Sequence, residues 1–200
     1  MAGFVSILLA AGKSQRMGEP KALLNWGGIS LVQYQVSTLI ESGSQEVIVV
    51  LGHNAELIEP HLKGFSKVRC VINEDYMLGR TSSIKVGVKA IGIVDPDCIL
   101  FLNVDQPRNT EVIARLLLNH KWSRNHITVP TYDGKGGHPI IFGTEFTSDL
   151  LNITEETFGF RSIMTSHTSK VERVSVSDPC VLWDLNTPEQ YADALQNLNM

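Results

Sequence analysis

Apolar residues gather in short, β-branched runs at Phe4–Leu9, Glu46–Leu51, Val68–Ile72 and Cys98–Leu102. Runs of this length predict strands buried on both faces. Between them the period changes. Leu31–Glu41, Ala55–Leu62 and Ser82–Ile91 carry apolar residues every three or four positions, as one face of a helix does. Strands alternating with helices predict βαβ units and a mostly parallel sheet. Beyond Val104 the pattern is less regular. A helix is expected over Thr110–Asn119, with Thr110 as its cap and Glu111 in its first turn. Strands are expected at Ile127–Val129 and His138–Phe142, flanking the turn Asp133-Gly134-Lys135-Gly136-Gly137. A last helix is expected to open at Pro188, behind Thr187 as N-cap. No internal repeat, low-complexity tract or linker interrupts the pattern, so residues 1–200 are expected to form a single domain.

Composition narrows the class. A chain of 200 residues buries enough surface to need no disulfide or metal staple. Its 43% hydrophobic and 19% charged residues are those of a soluble globular protein. The formal charge of −4 and the lack of a basic stripe argue against nucleic-acid binding. Cys70, Cys98 and Cys180 are odd in number and form no CxxC pair. Cys70 and Cys98 sit in apolar runs and are expected as buried thiols in a reducing, cytoplasmic setting. The run Phe4–Ala11 has no positive charge before it and is short for a signal peptide, so it is taken as a buried first strand. No run approaches the ~20 apolar residues of a membrane span.

Three segments carry chemistry. The first follows the first strand: Gly12-Lys13-Ser14-Gln15-Arg16-Met17-Gly18-Glu19-Pro20-Lys21 sets three cations against one carboxylate. Glycines let backbone N–H groups approach anionic oxygens and the cations neutralise them, which suits a phosphate chain. The P-loop spacing fails, because the earlier glycine it requires falls on Ile7. The dinucleotide fingerprint fails too, because no third glycine lies between Gly12 and Gly18. An ordinary βα turn with surface lysines is the alternative, though it does not explain the ordered set. The second segment is Asn103-Val104-Asp105-Gln106-Pro107, at the carboxyl end of a strand, where ligands collect in open α/β sheets. A carboxylate beside a triphosphate is a usual magnesium ligand, and a solvated Asp in a turn is the alternative. The third is Trp183-Asp184-Leu185-Asn186-Thr187-Pro188. A helix entrance explains Thr187 and Pro188, but not Asp184 and Asn186, which alternate on one face. An amide oxygen can join a carboxylate on magnesium. Elsewhere, Gly79 to Ser83 is expected as a helix N-terminus with free donors, a fair anion site. In the turn Gly136-Gly137-His138-Pro139 the histidine is expected to be structural rather than catalytic.

The pattern L-A-A-G-x-S-x-R-M-G-x-x-K over Leu9–Lys21 resembles the signature of the MobA-like nucleotidyltransferases. Asp184-Leu185-Asn186-Thr187-Pro188-Glu189 resembles the segment before that family's final helix. Asn73 to Ser83 resembles N-P-x-W-x-x-G-M-S-S-S, and Tyr132 to Ile140 resembles Y-x-G-x-R-G-H-P-V. The motifs keep the family's order, and the resemblance covers the whole chain, nearest to the molybdenum cofactor cytidylyltransferase branch. It implies a single-domain, three-layer α/β/α Rossmann-like (GT-A-like) fold. It implies a triphosphate wrapped by Leu9, Ala10, Ala11, Gly12, Lys13, Ser14, Arg16 and Lys21, with nucleotide contacts from Gly79, Ser82 and Ser83. Lys13 and Arg16 would hold the β- and γ-phosphates. Lys21, Arg16 and Asp105 are the implied catalytic residues, and Asp105 with Asn186 the implied Mg²⁺ ligands. Arg80, Gly137, His138, Pro139 and Arg161 are the implied acceptor residues. The double alanine before Gly12 implies CTP rather than GTP. The implied acceptor is a phosphorylated pterin, and the implied partner a molybdoenzyme.

Three departures fall together. Arg80 replaces the family's Met and Gly136 its Arg. The family's G-D-x-G-A-R persists only as Gly159-Phe160-Arg161, with Glu156 and Thr157 in place of Gly-Asp. All lie on the acceptor side, where a difference from the family is therefore expected. A sugar or polyol phosphate acceptor, or a non-catalytic molybdenum-cofactor chaperone, are the alternatives. The missing GxGxxG disfavours a nicotinamide-dependent oxidoreductase.

Overall fold

The computed structural model describes residues 3–14, 17–92, 95–123, 126–157 and 159–198. The chain opens with β1 (Phe4–Ala10), a small hairpin of β2 (Asn25–Trp26) and β3 (Ile29–Ser30), then α1 (Leu31–Glu41), β4 (Glu46–Leu51), α2 (Ala55–Ile58) and β5 (Val68–Ile72). It continues through α3 (Arg80–Ala90), β6 (Cys98–Asn103), α4 (Thr110–Trp122), β7 (Ile127–Tyr132), β8 (Lys135–Gly136) and β9 (Ile140–Gly143). It ends with α5 (Thr147–Asn152), α6 (Phe160–Ser166), β10 (Val171–Ser175) and α7 (Pro188–Leu198). The sheet order is β10-β7-β9-β6-β1-β4-β5, with β8 paired to β7. β1 runs parallel to β4 and β6, β4 to β5, and β7 to β10; β9 is antiparallel to both its neighbours. The sheet is thus mostly parallel, as the alternation predicts.

Side chains on β1 alternate between two cores. Phe4, Leu8 and Ala10 pack with Val32 and Val36 of α1, Ile58 of α2 and Ile113 and Leu116 of α4. Val5, Ile7 and Leu9 pack with Ile84 and Val88 of α3, Leu150 of α5 and Phe160 and Ile163 of α6. Helices therefore cover both faces, giving three layers. Each such buried aliphatic side chain contributes about 1.5–3 kcal/mol. A third, smaller cluster joins Leu24, Trp26, Leu31, Leu185 and Ala194. It seats α7 beside the hairpin, where the Trp26 ring lies 6.3 Å from that of Trp183.

Several boundaries differ from the pattern-based expectation, each for a local reason. The helix expected over Ala55–Leu62 divides into α2 and a 3₁₀ turn at Glu59–Leu62, because Pro60 has no N–H to continue the α-ladder. The cap of α4 is Asn109, not Thr110: its Oδ1 accepts from Val112 N–H at 2.9 Å. The strand expected from His138 starts at Ile140, after a cis His138–Pro139 peptide. β7 runs past Val129 to Tyr132, where Asp133 (φ 48°) and Gly134 (φ 75°) turn it into β8. β10, α5 and α6 have no counterpart in the periodicity, being five to seven residues long. Cys98 is buried, but Cys70 is only half-buried, since β5 is an edge strand. Burial pushes the Cys98 and Cys180 thiols up to about 12 and Cys70 to about 11, so all three are protonated at neutral pH. Among the described residues no helix is long and apolar enough to cross a membrane.

α3 lies close on the sheet because Gly87 has no side chain. A Cβ there would sit 2.6 Å from Ile7 Cγ2 and 3.1 Å from Val50 Cγ2. Both methyls belong to central strands and have little room to retreat. Gly87→Ala gains about 1 kcal/mol of helix propensity, but overpacking typically costs about 1–3 kcal/mol. A net loss of stability is expected in urea unfolding, and a variant more stable than the parent would overturn the close-packing argument.

Candidate functional site

The carboxyl ends of β1, β4 and β6 are level. Leu9 pairs with Asn103 and Ala10 with Leu51, and Val104 N–H donates to the Leu9 carbonyl at 2.9 Å. The chain beyond β1 and the chain beyond β6 therefore leave the sheet side by side. A cavity of about 420 Å³ opens there. Leu9, Ala10, Ala11, Gly12, Ser14 and Lys21 line it from the first segment, Asp105 from the second, and Asp184 and Asn186 from the third. Gly79, Arg80 and Ser83 close one side. Lys13 is exposed and off this wall. Arg16 lies outside the described residues.

The loop after β1 doubles back. Met17 N–H donates to the Ser14 carbonyl at 3.0 Å, and Lys21 N–H donates to Ser14 Oγ at 3.0 Å. Gly18 makes the turn at φ 73°. Lys21 thereby enters the cavity from below. Its Nζ donates to Asp105 Oδ2 at 2.7 Å and to Asn186 Oδ1 at 2.6 Å. The pair is well shielded, the two side chains being 12% and 20% exposed. One ammonium thus joins residues 84 and 165 positions apart in sequence.

The oxygens it meets are held from behind. Gln35, fully buried on α1, donates from Nε2 to the Gln106 carbonyl at 2.7 Å and the Asn103 carbonyl at 3.3 Å. Arg108 is 1% exposed. Its Nε donates to the His138 carbonyl at 2.8 Å and its Nη1 to Pro107 O at 2.8 Å. Its Nη2 donates to Val181 O at 2.9 Å and Trp183 O at 3.1 Å. Burial pulls its pKa down to about 10, which still leaves it a cation at neutral pH. Leu185 N–H donates to the Asp105 carbonyl at 2.9 Å. Asn186 N–H donates to Gln190 Oε1 at 2.9 Å, and Gln190 N–H to Thr187 Oγ1 at 3.3 Å. The α7 cap therefore also orients Asn186. Burial, then the charge of Asp105, push the Asp184 carboxyl above its ordinary value.

Gln35 and Arg108 are positioning residues that the motif reading missed. Gln35 was visible as a polar break in the apolar stripe Leu31, Val32, Val36, Leu39. Arg108 left no signal, since a basic residue after Asp-Gln-Pro looks like surface. The helix N-terminus at Gly79–Ser83 differs from expectation. The Glu155 carboxylate accepts from Thr81 N–H at 2.6 Å. Ser82 Oγ donates to the Gly79 carbonyl at 2.7 Å and lies off the cavity wall. Buried Asn73 donates to both Ser82 Oγ and Ser83 Oγ, at 2.8 and 2.9 Å. The donors expected to be free there are largely taken.

A second cavity of about 710 Å³ lies beyond Arg80, which lines both. Gly137, His138 and Arg161 line it with Phe160 and Arg173, whereas Pro139 is buried behind it. Gly136 leaves a space near Arg173, whose Nη1 would lie 3.8 Å from a Cβ placed there. Asn103 Nδ2 donates to Gln106 Oε1 at 2.9 Å, and Gln106 Nε2 lies 3.3 Å from His138 Nδ1. Burial, with the Arg108 and Arg80 charges, pushes His138 down to about 3, so the ring is neutral at physiological pH.

The Lys21 ammonium sits between two hard oxygens, Asp105 Oδ2 and Asn186 Oδ1. It shows that Asp105 and Asn186 can present two hard oxygens to one positive charge. Among the described residues no three His, Cys, Asp or Glu gather as a metal cage. That pattern suits magnesium, which needs one or two protein ligands and takes the rest from phosphate and water.

The MobA-like NTP transferase domain matches residues 6–171. Nicotine blue oxidoreductase of Paenarthrobacter nicotinovorans is 30% identical over 193 residues, 92% of each chain. Molybdenum cofactor cytidylyltransferase of Escherichia coli is 24% identical over 97% of this chain and 96% of that one. Among solved structures, a nucleotidyl transferase from Methanothermobacter superposes with a TM-score of 0.83 at 24% identity, covering 98% of each chain.

The neutral state of His138 has a thermodynamic consequence. Its folded pKa of about 3 lies below the ordinary ~6.5. Between those values the unfolded chain binds a proton that the folded chain does not. Its contribution is complete above ~6.5 and is lost as pH falls toward 3, by up to about 2 kcal/mol at pH 5. The Tm of the parent is expected to drop further than that of His138→Gln between pH 7.5 and 5. Equal drops would show an ordinary, solvated histidine.

Proposed function

Because the chain belongs to the MobA-like NTP transferase family, we propose that it moves a nucleoside monophosphate from a nucleoside triphosphate to a phosphorylated acceptor. CTP and a molybdopterin-like acceptor are the first assignment. The observation that carries it is the Lys21 ammonium between Asp105 and Asn186, 2.7 and 2.6 Å away, under a glycine loop. An acceptor phosphate oxygen attacks the α-phosphorus. The bond from that phosphorus to the bridging oxygen breaks, and pyrophosphate leaves with the electron pair.

The acceptor is already an anion, so no protein base is required. Neutral His138 and the protonated thiols fit that economy. Catalysis is then positioning and charge neutralisation. Gly12 and Ser14 carry the triphosphate against the ends of β1 and β6. Lys21 neutralises charge developing at the α-phosphate, with Arg16 and Lys13 assigned to the outer phosphates. Asp105 and Asn186 would hold Mg²⁺, which when bound neutralises non-bridging oxygens of the same phosphate. The acceptor takes the larger cavity, with Arg161, Arg173 and the Gly137–His138 backbone around it. Arg80 faces both substrates.

One finding favours a second reading. A relative 30% identical over 92% of its length is named nicotine blue oxidoreductase. An oxidoreductase would exchange electrons with its substrate rather than release pyrophosphate.

Purified protein with Mg²⁺, CTP and a phosphorylated pterin is expected to release pyrophosphate, and sugar or polyol phosphates to do so more slowly. Asp105→Asn is expected to lower kcat about 10²–10³-fold, the range for losing one electrostatic stabiliser, while the circular-dichroism spectrum is unchanged. Undiminished turnover would overturn the assignment of Asp105. Tight nucleotide binding without turnover on any acceptor would favour a chaperone role, and oxidation or reduction of nicotine blue the oxidoreductase reading. Arg173→Ala is expected to raise the acceptor KM by about tenfold, the loss of one hydrogen bond to a charged group, with the CTP KM changed less than twofold. Equal changes in both constants would remove Arg173 from the acceptor cavity.

A further inference from the structure

The seat between Asp105 and Asn186 already has a cation of the chain's own. Lys21 Nζ lies 2.7 Å from Asp105 Oδ2 and 2.6 Å from Asn186 Oδ1. A divalent ion at Asp105 and Asn186 would compete with the ammonium for Oδ2 and for the single amide oxygen, and two cations held so close repel each other. The backbone of Lys21 is fixed at both ends, its N–H on Ser14 Oγ and its carbonyl accepting from Leu24 N–H at 3.2 Å. Only the side chain is free to swing. Gly12 and Ser14 line the same cavity, and a phosphate held there would offer the ammonium a new partner.

We propose that Lys21 is a built-in counter-cation that bars a divalent ion from Asp105 and Asn186 until a triphosphate draws the ammonium away, so that metal enters with the nucleotide and not before it. The proposal rests on the nucleotidyl-transfer reading of this cavity. It gives Lys21 two stations. Before nucleotide binds it satisfies a shielded carboxylate that would otherwise lack a counter-charge, which buried groups tolerate poorly. In the loaded site it neutralises phosphate. The charge in the cavity stays balanced at each stage.

Manganese(II) titrated into the protein and followed by electron paramagnetic resonance of the free ion tests this without turnover. Nucleotide-free parent is expected to bind manganese at least tenfold more weakly than Lys21→Met, a difference of about 1.4 kcal/mol. Lys21→Gln, which keeps polarity but not charge, should behave as Lys21→Met does, and serves if the first variant fails to fold. Lys13→Met removes the same charge from the same loop without touching the two oxygens, and should stay within twofold of the parent. Adding a non-hydrolysable CTP analogue, with its own manganese binding subtracted, should tighten the parent's site at least tenfold. Parent protein that binds manganese as tightly alone as Lys21→Met does would overturn the proposal while leaving CTP-dependent pyrophosphate release intact. So would Lys13→Met matching Lys21→Met, since that is long-range charge and not occupancy. Failure of every protein to bind manganese even with the analogue would overturn both this proposal and the reading beneath it.

Discussion

Arg108 puts a full positive charge where water hardly reaches and surrounds it with carbonyl oxygens. Four of them, from Pro107, His138, Val181 and Trp183, accept from its guanidinium. Those residues belong to three segments far apart in sequence, and each segment bears part of the site. The planar fork of arginine suits this task, because its donors diverge in fixed directions. Among the described residues no carboxylate is paired with it. Its charge is offset at a distance by Asp105, Asp178 and Asp184. A buried charge that loses its partners is strongly destabilising, so the three loops cannot drift apart without leaving the guanidinium unsatisfied. The site is stiff because its supporting charge is expensive to expose.

Stiffness behind the site contrasts with the residue at its centre. Gln35, Arg108 and the α7 cap fix Asp105 and Asn186 through their backbones. Lys21 is anchored through its own backbone, and its long side chain spans the gap to reach both oxygens. The arrangement separates two requirements of phosphate chemistry. Ligand oxygens must be pre-placed, because reorganising them during reaction would add to the barrier. A cation that follows the charge must be able to move. The division falls where the side-chain types lead one to expect it, short Asp and Asn for the fixed oxygens and flexible Lys for the moving charge.

How much of this was legible in the sequence follows from the range of each cause. The strands β1, β4, β5 and β6 and the helices between them repeat a local pattern, and their limits fall close to those expected from periodicity. Asp105, Asn186 and the Gly12 loop were visible because short motifs fix them locally, and level strand ends bring them together. What escaped depends on partners distant in the chain. Glu155 caps α3 from 74 residues away and occupies a donor expected to be free. Asn109 rather than Thr110 caps α4, and its amide also donates to Asp178 at 2.7 Å, a contact that no local window contains. Arg108 looks like surface until its four carbonyls are known. β10 is recognisable only once β7 is there to pair with it.

The acceptor side shows the same dependence on non-local partners. Gly136 looks at first like the loss of a cation, because the related pattern carries Arg at that place. Yet the space above it is approached by Arg173 from β10, a strand that follows it by more than thirty residues. A guanidinium from β10, which pairs with the other side of β7, thus comes near the place where the related pattern has its cation, while Arg80 adds another at the boundary between the two cavities. Glu155 lies on the same wall and already caps α3, so that helix end offers an incoming anion less than a free N-terminus would. An anion entering this cavity would therefore meet guanidinium groups rather than a free helix N-terminus. Guanidinium groups grip a phosphate by two parallel hydrogen bonds and stack on flat rings. With Phe160 and Met164 also on its lining, the larger cavity sets apolar surface beside guanidinium charge, which complements a ligand that is both planar and anionic.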